Sequence, residues 1–341
     1  MIVRSKAPLR LGLAGGGTDV SPYSDDFGGA VLNATINLYA YATIKPRTDG
    51  KIILKAIDRG EEFECEASEY LETDGLLNLH KGVYNRILKD FGLGKLSFEL
   101  STYVDAPAGS GLGTSSTLTV AILGAFDHWL GLALGEYDLA HLAYEIERID
   151  LKMAGGKQDQ YAAAFGGFNF MEFYSGDKVI VNPLRVRRDI IAEFNHNMLL
   201  YYTGTSRLSA KIIDSQTENI ANKNESSLEG MHLLKNQAIA MKEAILRGEL
   251  TNIGKILNNG WKYKKQLADQ VTNPLIDDIY NTALANGAIG GKISGAGGGG
   301  FIMFYCQDEG KYRLMKALDK FGGEFSSFEF TKFGLESWTV K

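Results

Sequence analysis

The stretch DAPAGSGLGTSSTLTV, residues 105–120, joins a glycine-rich loop to the start of an apolar segment. Residues 95–104 alternate apolar and polar side chains, which predicts a strand, and residues 118–130 are apolar almost all round, which predicts a buried helix. A strand, a glycine loop and a helix N-terminus together present free N–H groups and the positive end of a helix dipole. The stretch therefore predicts an anion site, and phosphate is the usual ligand of such a site.

Two common nucleotide-binding loops do not fit this stretch. A Walker A loop requires G-x-x-x-x-G-K-[ST], and no Lys-Ser or Lys-Thr pair follows Gly113. A near match at 286–293 lacks the first glycine and the final hydroxyl. The spacing G-x-G-x-G also differs from the G-x-G-x-x-G of a Rossmann fold. On spacing alone, a tight turn capped by Thr114 or Ser115 stays open as the alternative to a phosphate site.

Length and composition describe a folded protein with two domains. The chain has 341 residues, 45% of them hydrophobic and 23% charged, and this length favours two cores over one. Strands and helices succeed one another in short units, which indicates an α+β fold. Residues from about 207 to 285 are mostly helical in pattern, and SSFEFTKF at 326–333 is expected to be the last strand region. We expect domains at 1–195 and 196–341, with the seam in FNHNMLLYYTG at 194–204.

The same composition argues against several classes of protein. A net charge of −5 argues against a nucleic-acid surface, so a small-molecule substrate is expected. Cys65 and Cys306 are too few and too far apart for a metal framework or a disulfide scaffold, which fits a reducing cytoplasm. The N-terminus lacks the apolar stretch of a signal peptide, and no segment reaches about 18 uninterrupted apolar residues. We expect a cytoplasmic protein without a nucleic-acid or membrane partner; whether it forms a homo-oligomer stays open.

Two more glycine clusters accompany the opening stretch, APLRLGLAGGGTD at 7–19 and KISGAGGGG at 292–300. Together with PAGSGLGTSS at 107–116, they resemble the three motifs of the GHMP kinase superfamily, in the family's order. The resemblance implies an N-terminal ATP-binding domain like ribosomal protein S5 domain 2, a ferredoxin-like C-terminal domain, and an active site between them. It further implies that 107–116 wraps the phosphates of ATP and that 292–300 lies close by and stabilises that loop.

The resemblance also implies the residues that bind ATP and Mg²⁺. The implied ATP-binding residues are Pro107, Gly109, Ser110, Gly111, Leu112, Gly113, Thr114, Ser115, Ser116 and Gly297. Ser115 is the implied Mg²⁺ ligand, with an acidic partner from the helix predicted at 138–153. Glu145 and Glu147 both flank the apolar stripe of that helix, and periodicity does not separate them. Glu147 resembles the family's acid better; the alternative for either residue is a solvated carboxylate at a helix edge.

Asp159, in GGKQDQY at 155–161, resembles the catalytic aspartate of the family. In phosphoryl transfer, a protein mainly positions the reacting groups and neutralises charge on the phosphates. A carboxylate also orients and deprotonates the attacking hydroxyl. Arg10 matches the basic residue of the first motif, which implies a cation that stabilises the transition state or positions the base. The alternative for Asp159 is a simple N-cap of the YAAAF segment.

The phosphate acceptor is implied by three longer segments. Those at 4–23, 155–173 and 201–212 resemble, within the superfamily, bacterial sugar-1-kinases that act on D-glycero-D-manno-heptose 7-phosphate. The resemblance implies Asp19 as a ligand of sugar hydroxyls. Gly16 and Gly17 stand where galactokinases have Glu-His, which leaves room for a larger sugar.

A sugar that already carries a phosphate needs a basic site of its own. Thr205 and Arg207 are the chosen candidates, and Lys6, Arg187, Arg188, Ser206 and Lys211 are further ones. A kinase for the anomeric hydroxyl of fucose, galactose or an N-acetylhexosamine is the alternative within the class. A catalytically silent sensor of sugar and nucleotide on the same fold is the alternative outside it.

Overall fold

Two β-sheets and the helices packed on them form the protein, for which a computed structural model describes residues 1–205 and 209–340. The strands are β1 (Ile2–Ala14), β2 (Gly29–Pro46), β3 (Lys51–Ala56), β4 (Glu61–Glu66), β5 (Phe98–Val104), β6 (Phe168–Phe173), β7 (Val179–Pro183), β8 (Met198–Tyr202), β9 (Ala288–Ile293), β10 (Phe301–Cys306), β11 (Glu324–Ser326) and β12 (Glu336–Val340). The helices are α1 (Tyr23–Phe27), α2 (Asn78–Phe91), α3 (Thr114–Leu130), α4 (Glu136–Glu145), α5 (Gln158–Phe165), α6 (Arg188–Asn197), α7 (Ser209–Ala221), α8 (Glu225–Arg247), α9 (Leu250–Lys264), α10 (Pro274–Ala285) and α11 (Gly310–Leu318).

The larger sheet has the strand order β12-β1-β2-β5-β3-β4, and β6 joins it by pairing with β2 and with β7. The long strand β2 makes this branching possible because its first half pairs with β6 and its second half with β5. All pairs are antiparallel except β3 with β5. Helix α3 packs across β1 and β2, and its side chains from Thr117 to Phe126 are buried, as expected for a helix that is apolar almost all round.

The smaller sheet is antiparallel, with the order β11-β8-β10-β9. Every residue of β10 is buried, because both faces of this strand are covered. Met303 and its neighbours on one face join the core that contains α8 and α9, whereas Ile302 and Phe304 on the other face join the core formed with α10 and α11. Helices α8 and α9 therefore lie between the two sheets, and α9 ends beside β1.

The predicted strand at 95–104 and the buried helix at 118–130 are confirmed. The expectation for SSFEFTKF is wrong in its larger part: β11 includes only its first residue. Phe330 instead bridges to Ile36 of β2, and β12 then pairs with β1. The proposed domain at 196–341 therefore sends its last segment back to the larger sheet, because the apolar side chains of Phe328 and Phe330 pack there.

Candidate active site

All three glycine-rich segments line one cleft, which has a volume of about 530 Å³. Gly16 and Gly17 of the first segment line it, together with alternate glycines of the second and Gly295 of the third. The third segment packs directly on the second: a Cβ atom on Gly111 would lie only 2.2 Å from the carbonyl oxygen of Ser294. The Ser294 hydroxyl in turn donates to the Gly111 carbonyl at 2.8 Å. Glycine at position 111, with φ +82°, is therefore required by both backbone conformation and space.

The N-terminus of α3 points into this cleft. Gly113, with φ +78°, precedes the helix, and Thr114, Ser115 and Ser116 of the first turn line the cleft wall. The first N–H groups of an α-helix have no partner within the helix, and the helix dipole adds positive potential there. The structure thus brings glycines, hydroxyls and a helix N-terminus to one surface suited to phosphate groups.

Four of the predicted ATP-binding residues lie outside the wall of the cleft. Pro107 is exposed, and Ser110 and Leu112 are buried behind the loop. Leu112 points into the larger core, while its carbonyl accepts the backbone N–H of Arg10 at 3.1 Å. Gly297 packs against the carbonyl of Val271 instead. Alternate positions of the loop face opposite sides, so only every second residue reaches the cleft.

Arg10 and Asp159 form a two-pronged ion pair inside the cleft. Nε of Arg10 donates to Oδ1 of Asp159 at 2.7 Å, and Nη2 donates to Oδ2 at 2.9 Å. The remaining nitrogen, Nη1, donates to the carbonyl of Gly111 and, at 3.4 Å, to Ser294 Oγ. Helix α5 is capped by Lys157, so the reading of Asp159 as an N-cap is wrong.

Ser115 and Glu147 form a second pair of predicted site residues in the cleft. The Ser115 hydroxyl donates to Oε1 of Glu147 at 2.9 Å, and Gln160 Nε2 donates to the other oxygen at 2.5 Å. Glu147 is fully buried, whereas Glu145 forms a 2.5 Å ion pair with Arg86 away from the cleft.

Glu145 is the last residue of α4, and Glu147 lies in the π-helical turn that follows. It spans Ile146–Asp150 directly after α4, and the Leu151 N–H donates to the carbonyl of Ile146 five residues back. The extra residue per turn changes which side chains face inward. Glu147 accepts from Ser115 and Gln160, whereas Glu145 accepts from Arg86.

Asp19 lines the cleft, but its carboxylate is already occupied by four N–H donors. Oδ2 accepts the backbone N–H groups of Lys157 and Gln158, both at 3.0 Å. Oδ1 accepts the Gly17 N–H at 3.2 Å and the side-chain amide of Gln158 at 3.1 Å. A Cβ on Gly156 would lie 2.0 Å from Asp19, so the glycine lets the loop close over this carboxylate. Asp19 therefore holds the start of α5, where Asp159 lies.

The basic residues proposed for the acceptor phosphate are not gathered at the cleft. Arg207 lies outside the described residues, as does Ser206. Thr205 is exposed, and its carbonyl accepts the Gly300 N–H at 2.8 Å without lining the cleft. Lys6 pairs with Glu336 at 2.8 Å, and Arg187 pairs with Asp189 at 3.3 Å, both at the surface.

The cleft wall also contains two buried lysines that the sequence did not predict as site residues. Lys264 ends α9 and Lys292 lies on β9, and both line the cleft with 3% and 5% exposure. Burial lowers the pKa of Lys264 to about 8 and lowers that of Lys292 well below its usual value. The only sequence signal was the place of Lys292 at the start of the third glycine segment. Helix α7 contributes Asp214 and Gln216 to the same wall.

Comparison with known proteins places this geometry in a family. The N-terminal domain of GHMP kinases matches residues 78–167, and the C-terminal domain of GHMP kinases matches residues 241–323. A Campylobacter jejuni protein named D-glycero-alpha-D-manno-heptose 7-phosphate kinase is 50% identical over 338 residues, covering 99% of each chain.

Solved structures agree with this result. A D-glycero-D-manno-heptose 1-phosphate kinase from Bacteroides thetaiotaomicron is 47% identical, covers 99% of each chain and superposes with a TM-score of 0.86. A Lactococcus lactis galactokinase, 21% identical with a TM-score of 0.77 over 98% of this chain and 95% of its own, shares the fold. The predicted two-domain α+β architecture is confirmed. The chain belongs to the GHMP kinase family and is a kinase.

Proposed function

We propose that the chain transfers the γ-phosphoryl group of ATP to the anomeric hydroxyl of D-glycero-D-manno-heptose 7-phosphate, which yields the 1,7-bisphosphate and ADP. One observation carries the proposal: the Arg10–Asp159 pair and the Ser115–Glu147 pair lie in one cleft, at the N-terminus of α3. The choice of acceptor is supported by the relative from Campylobacter jejuni, half of whose residues are identical in this chain.

The Arg10–Asp159 pair is suited to the acceptor hydroxyl. Arg10 fixes the orientation of the carboxylate, and each carboxylate oxygen keeps a second lone pair for another donor. Asp159 orients the anomeric hydroxyl and takes its proton as the oxygen attacks the γ-phosphorus and the bond to ADP breaks. Arg10 also holds the Gly111 carbonyl, so the same side chain fixes the base relative to the loop that binds the donor.

The chemistry of Ser115 and Glu147 fits a magnesium site. Mg²⁺ prefers oxygen ligands and is commonly held by one or two carboxylates together with substrate phosphates. Within residues 1–205 and 209–340, no cluster of three or more acidic, His or Cys side chains could hold a metal by itself. A hydroxyl and a buried carboxylate at a phosphate-binding helix N-terminus are therefore the expected protein share of Mg²⁺ bound with ATP. When bound, Mg²⁺ would neutralise charge on the transferred phosphates.

The remaining proposals concern partners and location. Across the part of the chain that the structure describes, no helix is both long and apolar enough to cross a membrane. We propose a cytoplasmic enzyme that acts on a small sugar phosphate and has no nucleic-acid partner, in line with the net charge of −5.

The test is an ADP-release assay with a panel of acceptors. Heptose 7-phosphate, phosphate-free heptose, fucose, galactose and an N-acetylhexosamine are compared at equal concentrations with ATP and Mg²⁺. We expect kcat/KM to be highest for the heptose 7-phosphate, with phosphate appearing on the anomeric oxygen by ³¹P NMR. Equal or higher kcat/KM on a free hexose would overturn the proposed acceptor.

A further inference from the structure

Two lysines from neighbouring elements line the same cleft, near enough for their charges to act on each other. Helix α9 packs so closely on β9 that a Cβ on Gly290 would lie 2.0 Å from the carbonyl of Gly254. This close packing brings Lys264, at the end of α9, towards Lys292 on β9. Their positive charges act on each other, since Lys264 is among the causes that lower the pKa of Lys292, after burial.

Neither lysine has an acidic partner among the described residues. Among those residues, no carboxylate oxygen forms an ion pair within 4.0 Å of the amine of Lys264 or of Lys292. Lys292 donates to the carbonyl of Gly12 at 2.8 Å, and the Lys264 amine makes no hydrogen bond within the part of the chain the structure describes. Asp19 is near enough to raise the pKa of Lys264 against the larger effect of burial, but its own oxygens already accept four N–H donors. Buried charges are costly unless paired, so this pair lacks an anion.

The position of the pair separates it from the glycine loop. Along β1, Arg10 contacts Leu112 and Gly111, whereas Gly12 contacts Lys292. Two strand residues span about 7 Å, which is of the order of the length of one sugar ring. A sugar whose anomeric hydroxyl lies at Asp159 can therefore extend its far end towards Lys292.

Glycine at position 16 keeps the space in front of this pair open. A Cβ there would lie 4.0 Å from Nζ of Lys292 and 3.8 Å from the side-chain amide of Gln158. Any longer side chain would extend from that point into the cleft, which Gly16, Lys264 and Lys292 all line. The two amines thus face a volume that can accept a bulky anion.

We propose that Lys264 and Lys292 bind the phosphate monoester that the acceptor sugar already carries, in a subsite separate from the loop that binds the donor phosphates. This inference rests on the proposed function and names how the same cleft recognises its acceptor. Two ammonium groups match the two negative charges of a phosphate monoester, and a charge-assisted hydrogen bond is stronger than a neutral one. The subsite replaces Thr205 and the surface cations as the acceptor-phosphate ligands.

The experiment compares Lys264→Gln and Lys292→Gln with the control Lys262→Gln, whose lysine is exposed on the same helix. Heptose 7-phosphate is titrated into each full-length protein by calorimetry without nucleotide. We expect each buried variant to lose about 10- to 100-fold in affinity, and the control to bind as the wild type does. In steady state, the KM for heptose 7-phosphate should rise while the KM for ATP stays within about twofold. Circular dichroism verifies that every variant is folded.

The experiment distinguishes failure of the proposed acceptor from failure of the proposed lysine subsite. If the wild type phosphorylates phosphate-free heptose as efficiently as the 7-phosphate, the proposed acceptor is wrong. If the wild type prefers the 7-phosphate and both buried variants keep that preference, the acceptor stands and the lysine subsite is wrong. If the KM for ATP rises instead, the pair binds a donor phosphate and the inference is overturned.

Discussion

Arg10 couples Asp159 to the glycine loop through a single guanidinium group. Two of its nitrogens hold the carboxylate at 2.7 and 2.9 Å, and the third holds the carbonyl of Gly111. The Arg10 side chain is 6% exposed and that of Asp159 is 22% exposed, so the carboxylate is the more accessible partner in the cleft. The cation therefore sets the distance between the proposed base and the proposed donor site.

Replacing Asp159 with Asn tests the proposed base. The amide is similar in size but cannot take the proton of the hydroxyl, so kcat should fall by about 10²- to 10⁴-fold, with a small change in KM. Steady-state ADP release measures both constants, and Asp58→Asn, at an exposed site, is the control. Near-normal turnover in a folded Asp159→Asn protein would contradict the assignment.

Replacing Arg10 with Lys tests the two-pronged geometry. Lysine keeps the charge but cannot make two parallel hydrogen bonds to Asp159 and a third to Gly111. We expect kcat to fall by at least about tenfold even though the net charge is unchanged. If Arg10→Lys is fully active while Arg10→Gln is not, charge alone is sufficient and the geometric argument is wrong.

Glu147 and Glu145 form a natural matched pair for the metal site. Glu147→Gln removes the negative charge of a proposed carboxylate ligand, so the Mg²⁺ concentration for half-maximal activity should rise by about tenfold or more. Glu145→Gln removes only a partner of Arg86 and should leave the Mg²⁺ requirement unchanged. Activity titrated against Mg²⁺ at fixed ATP distinguishes the two, and identical curves would contradict the site.

Asp19→Asn tests whether this residue positions α5. The Asn amide would face N–H donors with an N–H group of its own, and a buried hydrogen bond lost in this way costs about 1–3 kcal/mol of stability. We expect a lower free energy of unfolding in urea and a lower kcat, because Asp159 shifts with the helix. Unchanged stability and kcat with only a raised KM for the sugar would instead support a direct sugar contact.

Lys264→Met tests the burial of an unpaired charge. Burial holds the pKa of Lys264 at about 8, against 10.5 for a free lysine, with Asp19 raising it and Arg10 lowering it. Between these values the unfolded chain binds more protons than the folded one, so wild-type stability should rise from about pH 8 to pH 10.5. Lys292 faces the same space and, with its own lowered pKa, adds a rise of the same sign.

The variant removes the contribution of Lys264 to this pH dependence. At pH 7 its free energy of unfolding should exceed that of the wild type by about 1–3 kcal/mol, even though sugar phosphate binding is weakened. Urea unfolding from pH 7 to pH 10 measures the effect, with Lys262→Met as the exposed control. A variant less stable than the wild type at pH 7 would show that Lys264 is well compensated in the free protein.

The three glycine segments were predictable because their chemistry is local. Gly111 and Gly113 adopt positive φ next to a helix N-terminus, and sequence spacing reveals such positions directly. Arg10 and Asp159 could be named from the same motifs, although their mutual contact joins residues that are far apart in the chain.

The features of the site that the sequence did not predict all depend on packing between elements that are distant in the chain. Lys264 and Lys292 look like ordinary surface lysines until α9 and β9 enclose them. Asp19 looks like a free ligand until α5 supplies its N–H groups. Glu145 and Glu147 flank the same apolar stripe, and only their partners distinguish them: Arg86 for the first, Ser115 and Gln160 for the second.

The return of the chain to the larger sheet ties the two walls of the cleft together. The polypeptide passes from α6 on the larger core to β8 in the smaller sheet near residue 198, and it comes back near residue 328 to form β12. Two separate connections therefore join the bodies that carry the cleft walls. Helices α8 and α9 add a buried core shared with β1 and β2, so the walls are held together by packing as well as by the chain. The lysine wall consequently has a fixed place beside β1, where Lys292 donates to the carbonyl of Gly12 at 2.8 Å.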